Sequence, residues 1–143
     1  MKSEGIVTMR GVGTVPNVER VLLFDGRFDT AYRVCGFKIA PTGPLDSEEI
    51  SATINTIEVS HTSVWNWALN TQIGWASWGT PIGTRFSEYS NYDDEALVVE
   101  DLFIDFTGDT GQTINWEIKL EKLDVKDYQG ALAMISARGQ GSD

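Results

Sequence analysis

Hydrophobic and polar residues alternate most regularly between positions 114 and 121. The even-numbered positions there are apolar and the odd-numbered ones are polar or charged, the apolar ones being Ile114, Trp116, Ile118 and Leu120. Because successive side chains of a strand point to opposite faces of its sheet, this pattern predicts a strand over 113–123 with one buried face. Alternation of this kind is typical of an antiparallel sheet.

Further strands are predicted at 18–24, 31–40, 50–60 and 71–78, and residues 96–106 form another largely apolar stretch. Within 50–60, the apolar residues change parity after Ile54, which predicts a β-bulge near Asn55 and Thr56. The chain therefore offers about seven or eight short strands separated by turn residues, as in sandwiches and barrels.

Near the end of the chain the apolar period changes. Tyr128, Ala131, Leu132 and Ile135 recur at the spacing of one helix face, so a short C-terminal helix is predicted at about 127–138. The predicted fold class is all-β, an antiparallel β-sandwich followed by this helix, and a jelly roll fits the strand count. Residues 1–17 are expected to form a flexible N-terminal arm, with a short strand around 6–9 as the alternative, and residues 18–143 a single domain.

Charge is distributed unevenly along the chain. The 143 residues carry a formal net charge of −10, and residues 88–109 contain eight acidic residues and no Lys or Arg. A chain this acidic is a poor partner for a phosphate backbone, so nucleic acid is not expected as a direct partner. Three neighbouring acids are candidate calcium ligands, although their spacing does not match an EF-hand loop; they are Asp93, Asp94 and Glu95.

The residues needed for familiar catalytic or metal sites are scarce. Cys35 is the only cysteine and His61 the only histidine, so a zinc site would lack its usual ligands. No Gly-x-Ser-x-Gly motif occurs, and no constellation of catalytic residues is recognisable. We therefore expect a protein that is not an enzyme and has no cofactor. The sequence also shows no signal peptide and no apolar span, so we expect a soluble protein that does not bind membranes.

Four of the five tryptophans fall between positions 65 and 78. Strand alternation predicts that Trp75 and Trp116 lie in the core, and it leaves Trp65, Trp67 and Trp78 as surface candidates. The amide side chains of Asn66 and Gln72 are nearby in the sequence. Together with the indoles they form a candidate site for a protein partner or a glycan. The alternative is that all these aromatic residues fill the core or a subunit interface, where large side chains contribute most.

Several stretches of the chain, at residues 21–26, 72–78, 120–123 and 129–135, resemble small virion structural proteins of marine tailed bacteriophages. The resemblance implies a non-enzymatic building block of a phage particle, present in many copies and made in the host cytoplasm. A capsid-decorating or cement protein fits this chain length, with a tail or fibre component as the alternative. The implied partners are the capsid shell and further copies of the chain, and surface glycans are a candidate partner for the tryptophans described above.

Overall fold

The computed structural model describes residues 2–23, 29–43, 49–79 and 87–125. All regular secondary structure in these ranges is β-strand, and the predicted helix at about 127–138 lies outside them. The strands are β1 Lys2–Thr14, β2 Val18–Val21, β3 Thr30–Pro41, β4 Glu49–Asn55, β5 Gln72–Gly79, β6 Ser87–Tyr92, β7 Leu102–Thr107 and β8 Thr113–Asp124.

The described strands form two antiparallel sheets. One sheet has the order β1-β8-β3, and the other has the order β2-β7-β4-β5-β6. Side chains from both sheets share one buried apolar cluster, so the sheets pack face to face in a sandwich-like arrangement. The all-β, antiparallel fold predicted from the sequence is confirmed.

Strand β8 lies in the middle of the three-stranded sheet and follows the predicted alternation. Its even-numbered apolar residues from Ile114 to Leu120 are buried between the sheets. On the other face, Glu117 lies between Arg10 of β1 and Lys38 of β3, with N···O distances of 3.0 and 3.7 Å. Because one face of β8 is buried and the other is in contact with solvent, its apolar–polar alternation predicts the strand correctly.

Strand β1 occupies the segment for which the sequence suggested a flexible arm or, as the alternative, a short strand around 6–9, and it is longer than that alternative. It pairs with β8 from Lys2 to Thr14, so these residues belong to the sheet. The sequence carries little sign of this because two core-facing positions are glycines: a Cβ at Gly11 would lie 2.7 Å from Trp116 Cζ2, and one at Gly13 would collide with the ring of Phe106. Large side chains from other strands thus fill the space that β1 leaves.

A register shift lies at the end of β4, where a bulge was predicted in the 50–60 segment, but the extra residue is on the neighbouring strand β5. Ile54 pairs with Gly74 and Asn55 pairs with Gln72, which leaves Ile73 as the extra residue. The chain leaves the sheet after Asn55, so the strand is shorter than predicted. Residues 56–71, which we call the aromatic loop, lead from there to β5.

Candidate functional site

The aromatic loop lies over the outer face of the five-stranded sheet. Asp105, Thr53, Trp75 and Asn91 are paired in a row across strands β7, β4, β5 and β6. Trp75 and Asp105 in this row are buried although they lie outside the main core cluster. Contacts from the loop to this row therefore account for a second, smaller buried layer.

Asp105 fastens the first part of the loop to the sheet. Its Oδ1 lies 2.7 Å from Nδ1 of His61, and its Oδ2 accepts a hydrogen bond of 2.9 Å from the backbone N–H of Thr62. A carboxylate this deeply buried needs such partners, since an unpaired buried charge is costly. His61 and Asp105 thus have a clear structural role in positioning the loop.

Gln72 fastens the second part of the loop. Its side-chain oxygen accepts hydrogen bonds from the backbone N–H of Asn66 at 2.9 Å and from Trp75 Nε1 at 2.8 Å. Its amide nitrogen donates to the carbonyl of Val64 at 3.2 Å. Gln72 is buried and fully engaged, so it does not present its amide to a glycan as the sequence suggested.

Held in this way, the loop presents apolar side chains to solvent. Trp67 is 65% exposed, and its ring meets Trp75 edge-on with centroids 6.0 Å apart. Trp65 is half-buried and tilts against Tyr89 of β6 at 5.7 Å. We call Val64, Trp65, Trp67 and Tyr89 the aromatic patch. Two of the predicted surface tryptophans therefore do lie together at the surface.

Asn66 lies within the aromatic patch and is exposed. Its side-chain oxygen accepts a hydrogen bond of 3.1 Å from the backbone N–H of Ala68, which shapes the tip of the loop. In the chain Asn66 stands between Trp65 and Trp67. Of the two amide residues predicted for the site, Asn66 is thus the one placed to contact a ligand.

Trp78 does not join the aromatic patch, so its predicted position at the surface is wrong. It lies on the inner face of β5, opposite Ile50, and belongs to the core cluster. Trp75 is buried as predicted, but beneath the aromatic loop and not between the sheets. The loop covers the outer face of β5, so burial on this strand does not follow alternation.

A cleft of about 410 Å³ opens at another part of the molecule, between the three-stranded sheet and strands β5 and β6. We call it the tryptophan cleft because Trp78 and Trp116 both line it. The other residues that border it include Arg10, Lys38, Glu88, Asn115 and Glu117. This cleft could not be predicted from the sequence, since its residues come from β1, β3, β5, β6 and β8.

The acidic stretch at 88–109 does not form a single surface. Asp101 is buried, binds Arg20 at 2.6 and 2.9 Å and accepts from the Leu23 N–H at 3.0 Å. Asp93 accepts a hydrogen bond from the Glu95 N–H, while Asp94 and Glu95 are exposed. Within the described residues, no three acidic, His or Cys side chains are grouped to hold a metal, so the calcium candidates Asp93, Asp94 and Glu95 do not form a site.

Cys35 is the extra residue at a register shift in β3, between Val34 and Gly36. Burial is the main cause that raises the pKa of its thiol, and the nearby Glu121 carboxylate adds to the effect. Both causes favour the protonated thiol over the reactive thiolate.

Among the described residues, no helix is long and apolar enough to cross a membrane. Compared with protein-family profiles, curated protein sequences and solved structures, the chain finds no match. Its function must therefore be argued from its own fold and surfaces.

Proposed function

We propose that this protein is a non-enzymatic structural protein of a bacteriophage virion. In this proposal it is associated with the capsid as a decoration or cement protein, is present in many copies, and binds both the shell and other copies of itself. The observation that carries the proposal is the nested pairing of its strands, together with the resemblance of its sequence to small virion proteins.

The nested pairing supports a jelly-roll connectivity. Rolling up a long antiparallel hairpin pairs the first strand with the last, the second with the seventh, the third with the sixth and the fourth with the fifth. The pairs β1–β8, β2–β7 and β4–β5 follow this scheme. Strand β6 departs from it by pairing with β5, although its Ser90 hydroxyl donates to the Phe37 carbonyl of β3. Jelly rolls are widespread among viral capsid domains, which is an argument from fold analogy.

The edge of strand β1 supports self-association. β1 has thirteen residues, pairs only with β8 among the described strands, and exposes Ile6, Val7 and Val12. Natural proteins usually protect a long edge with charges, proline or a covering segment, because an open edge pairs with other chains. The edge of β1 is therefore a suitable place for a strand of a second copy to add to the sheet.

The net charge of −10 is consistent with a place on the exterior of the particle. A subunit lining the inside of the shell would face packed DNA, whose phosphates repel an acidic protein. The proposal accordingly includes no contact with nucleic acid.

Particles purified from the phage that encodes this chain provide the direct test. Quantitative mass spectrometry should find the chain at a copy number comparable with that of the major shell protein. Its absence from purified particles, or its presence only in the unassembled host lysate, would overturn the proposal. A copy number of only a few per particle would instead favour the tail or fibre alternative.

Self-association through β1 has its own test, with a matched pair of variants. Val12 and Val64 are exposed to similar extents, 55% and 61%, but Val12 lies on β1 and Val64 in the aromatic patch. Light scattering should show that Val12→Lys lowers the oligomeric state and that Val64→Lys does not. A wild-type protein that stays monomeric at high concentration would contradict this contact.

The aromatic patch favours a second candidate function, glycan binding during receptor recognition. The exposed Trp67 and the half-buried Trp65 offer apolar rings, on which sugars stack, and the exposed Asn66 stands between them in the chain. A glycan array should give hits that Trp67→Ala abolishes and that Trp67→Phe retains in part. An array without hits, or hits that Trp67→Ala leaves unchanged, would rule this function out.

A further inference from the structure

The positive charge of the described residues is concentrated on one sheet. All their Lys and Arg except Arg20 lie on strands of the three-stranded sheet, at Lys2, Arg10, Arg33, Lys38, Lys119 and Lys122. Arg20 lies on β2 and is paired with Asp101. Residues 49–79 and 87–112, which include β4, β5, β6 and β7, contain no Lys or Arg. The two sheets therefore differ in charge, although the chain as a whole is acidic.

Most of these cations share the outer face of the three-stranded sheet. The odd-numbered residues of β8 from Asn115 to Glu121 point away from the core, and the residues directly opposite them on β1 and β3 share that face. This outer face carries more cations than carboxylates, and we call it the basic face. Its charged residues are Arg10, Arg33, Lys38, Glu117, Lys119 and Glu121.

The cations of the basic face reach further into solvent than its carboxylates. The side chains of Arg10 and Lys38 are 75% and 64% exposed, whereas the side chain of Glu117, which both of them bind, is 15% exposed. Lys119 is exposed and forms no ion pair with a described residue. A partner that approaches this face therefore meets positive charge first.

The segment that follows β6 carries exposed negative charge. A hydrogen bond of 2.8 Å from the Asp93 N–H to the Ile73 carbonyl places its start beside β5 of the other sheet. Asp94 and Glu95 are exposed, and neither forms an ion pair with a described residue. We call residues 93–95 the acidic turn. Its charge lies outside the basic face and is not neutralised by the described part of the chain.

We propose that the basic face docks on the acidic turn of a second copy of the chain. The two surfaces are complementary in charge and are different parts of the molecule, so the contact is head-to-tail, and each copy binds one neighbour through its basic face and another through its acidic turn. At physiological salt, exposed charges more than about 8 Å apart are largely screened, so the charges at the contact count for more than the net charge of either chain.

This contact does not depend on the proposed virion role. It also differs from strand addition at β1, because it joins side-chain charges, whereas strand addition joins backbone groups. Salt and charge reversal therefore distinguish the two modes of self-association.

A charge swap tests the contact in the full chain. Lys38→Glu/Lys119→Glu makes the basic face negative, and Asp94→Lys/Glu95→Lys makes the acidic turn positive. In sedimentation velocity, each double variant alone should associate at least about tenfold more weakly than the wild type, because like charges then meet. An equimolar mixture of the two should regain association, since every contact in it joins opposite charges. A mixture that stays as weakly associated as its components would overturn the proposal.

Lys2→Glu and Asp109→Lys are the controls, since each reverses an exposed charge outside both surfaces. Neither should change the association, and a loss in either one would indicate a general charge effect and overturn the proposal. Wild-type association should also weaken at least about tenfold between about 0.1 M and about 1 M NaCl, where the screening length falls from about 10 Å to about 3 Å.

A wild-type chain that is monomeric, or that associates equally at both salt concentrations, would overturn this docking, whereas the virion role is judged separately by the content of purified particles. The remaining occupant of a basic face is a polyanion. A wild-type chain that binds a DNA duplex or anionic vesicles through Lys38 and Lys119, and does not bind itself, would equally overturn the proposal.

Discussion

On the outer face of the three-stranded sheet, Glu117 lies between the exposed cations Arg10 and Lys38. On the outer face of the five-stranded sheet, Asp105 is buried beneath the aromatic loop. The two carboxylates occupy similar places, each in a cross-strand row that points away from the core. They differ in what covers them. The first interacts with long, exposed cations, and the second with His61 and a backbone N–H.

This difference explains why alternation holds in one sheet and fails in the other. A strand with one wet face, such as β8, keeps a strict apolar–polar pattern. Strand β5 is covered on both faces, and seven of its eight residues are buried. On such a strand, alternation indicates which residues share a face but not which face is the core.

The sharpest way to test this comparison is to remove an indole from each side of the aromatic loop. Trp75→Ala takes away the buried ring that the loop covers, and we expect a loss of about 3–5 kcal/mol in the free energy of unfolding. Trp67 is mostly exposed, so Trp67→Ala should cost much less. Urea denaturation of both variants measures the difference. Equal losses would mean that the loop does not form a second buried layer.

A second test compares the two outward carboxylates. Asp105→Ala leaves the Thr62 N–H and His61 without their acceptor, and we expect a loss of about 2–3 kcal/mol. Glu117→Ala leaves Arg10 and Lys38 free to be solvated, so it should cost less than about 1 kcal/mol. Thermal or urea unfolding distinguishes the two. Amide hydrogen exchange should also show faster exchange at Thr62 in Asp105→Ala and not in Glu117→Ala.

Most of the strands could be predicted because their core-facing positions carry apolar side chains. Strand β1 was predicted only in part, as an alternative short strand around 6–9, since Gly11 and Gly13 stand where apolar residues would be expected and Trp116 and Phe106 fill their space. The apolar side chains that fill the core at β1 belong to other strands. The local sequence of β1 therefore lacks the apolar–polar alternation that predicts a strand.

Gly11→Ala tests whether the ring of Trp116 occupies the space beside β1 where a side chain of residue 11 would lie. The new methyl group would lie 2.7 Å from Trp116 Cζ2, and displacing the indole should cost about 1–3 kcal/mol. Gly36→Ala is the matched control in β3, where the nearest atom is Lys119 Cβ at 3.2 Å and the side chain beyond it is exposed. Unfolding curves should show the larger loss for Gly11→Ala. A neutral effect would mean that the indole can move aside freely.

The candidate site was partly predictable in the same way. Trp65 and Trp67 were placed at the surface because no strand pattern included them, and the structure agrees. Trp78 was misplaced because the coverage of β5 depends on the aromatic loop. Asp105 was missed because an acid within an apolar run reads as an outward, solvated residue, whereas its partners lie more than forty positions earlier in the chain.

The smallest expected effect concerns pH on the solvated face. A hydrogen bond from Arg33, directly opposite on β3, is the main cause that lowers the pKa of Glu121, and one from Ser3 of β1 contributes. A lowered pKa in the folded state means that the ionised carboxylate stabilises the fold above the ordinary glutamate pKa. This contribution is lost as the pH falls from that value through the lower pKa of the folded protein.

Glu121→Gln should therefore leave a protein whose stability declines less steeply over this acidic range, while remaining slightly less stable than the wild type near neutral pH. NMR titration of the Glu121 side-chain carboxyl provides the independent measurement. In Arg33→Gln its pKa should move back toward the ordinary value, because the main donor is gone and only the weaker contribution of Ser3 remains. An unchanged titration in Arg33→Gln would show that the ion-paired row does not hold the carboxylate in solution, and the contrast with the tightly held Asp105 would then be larger still.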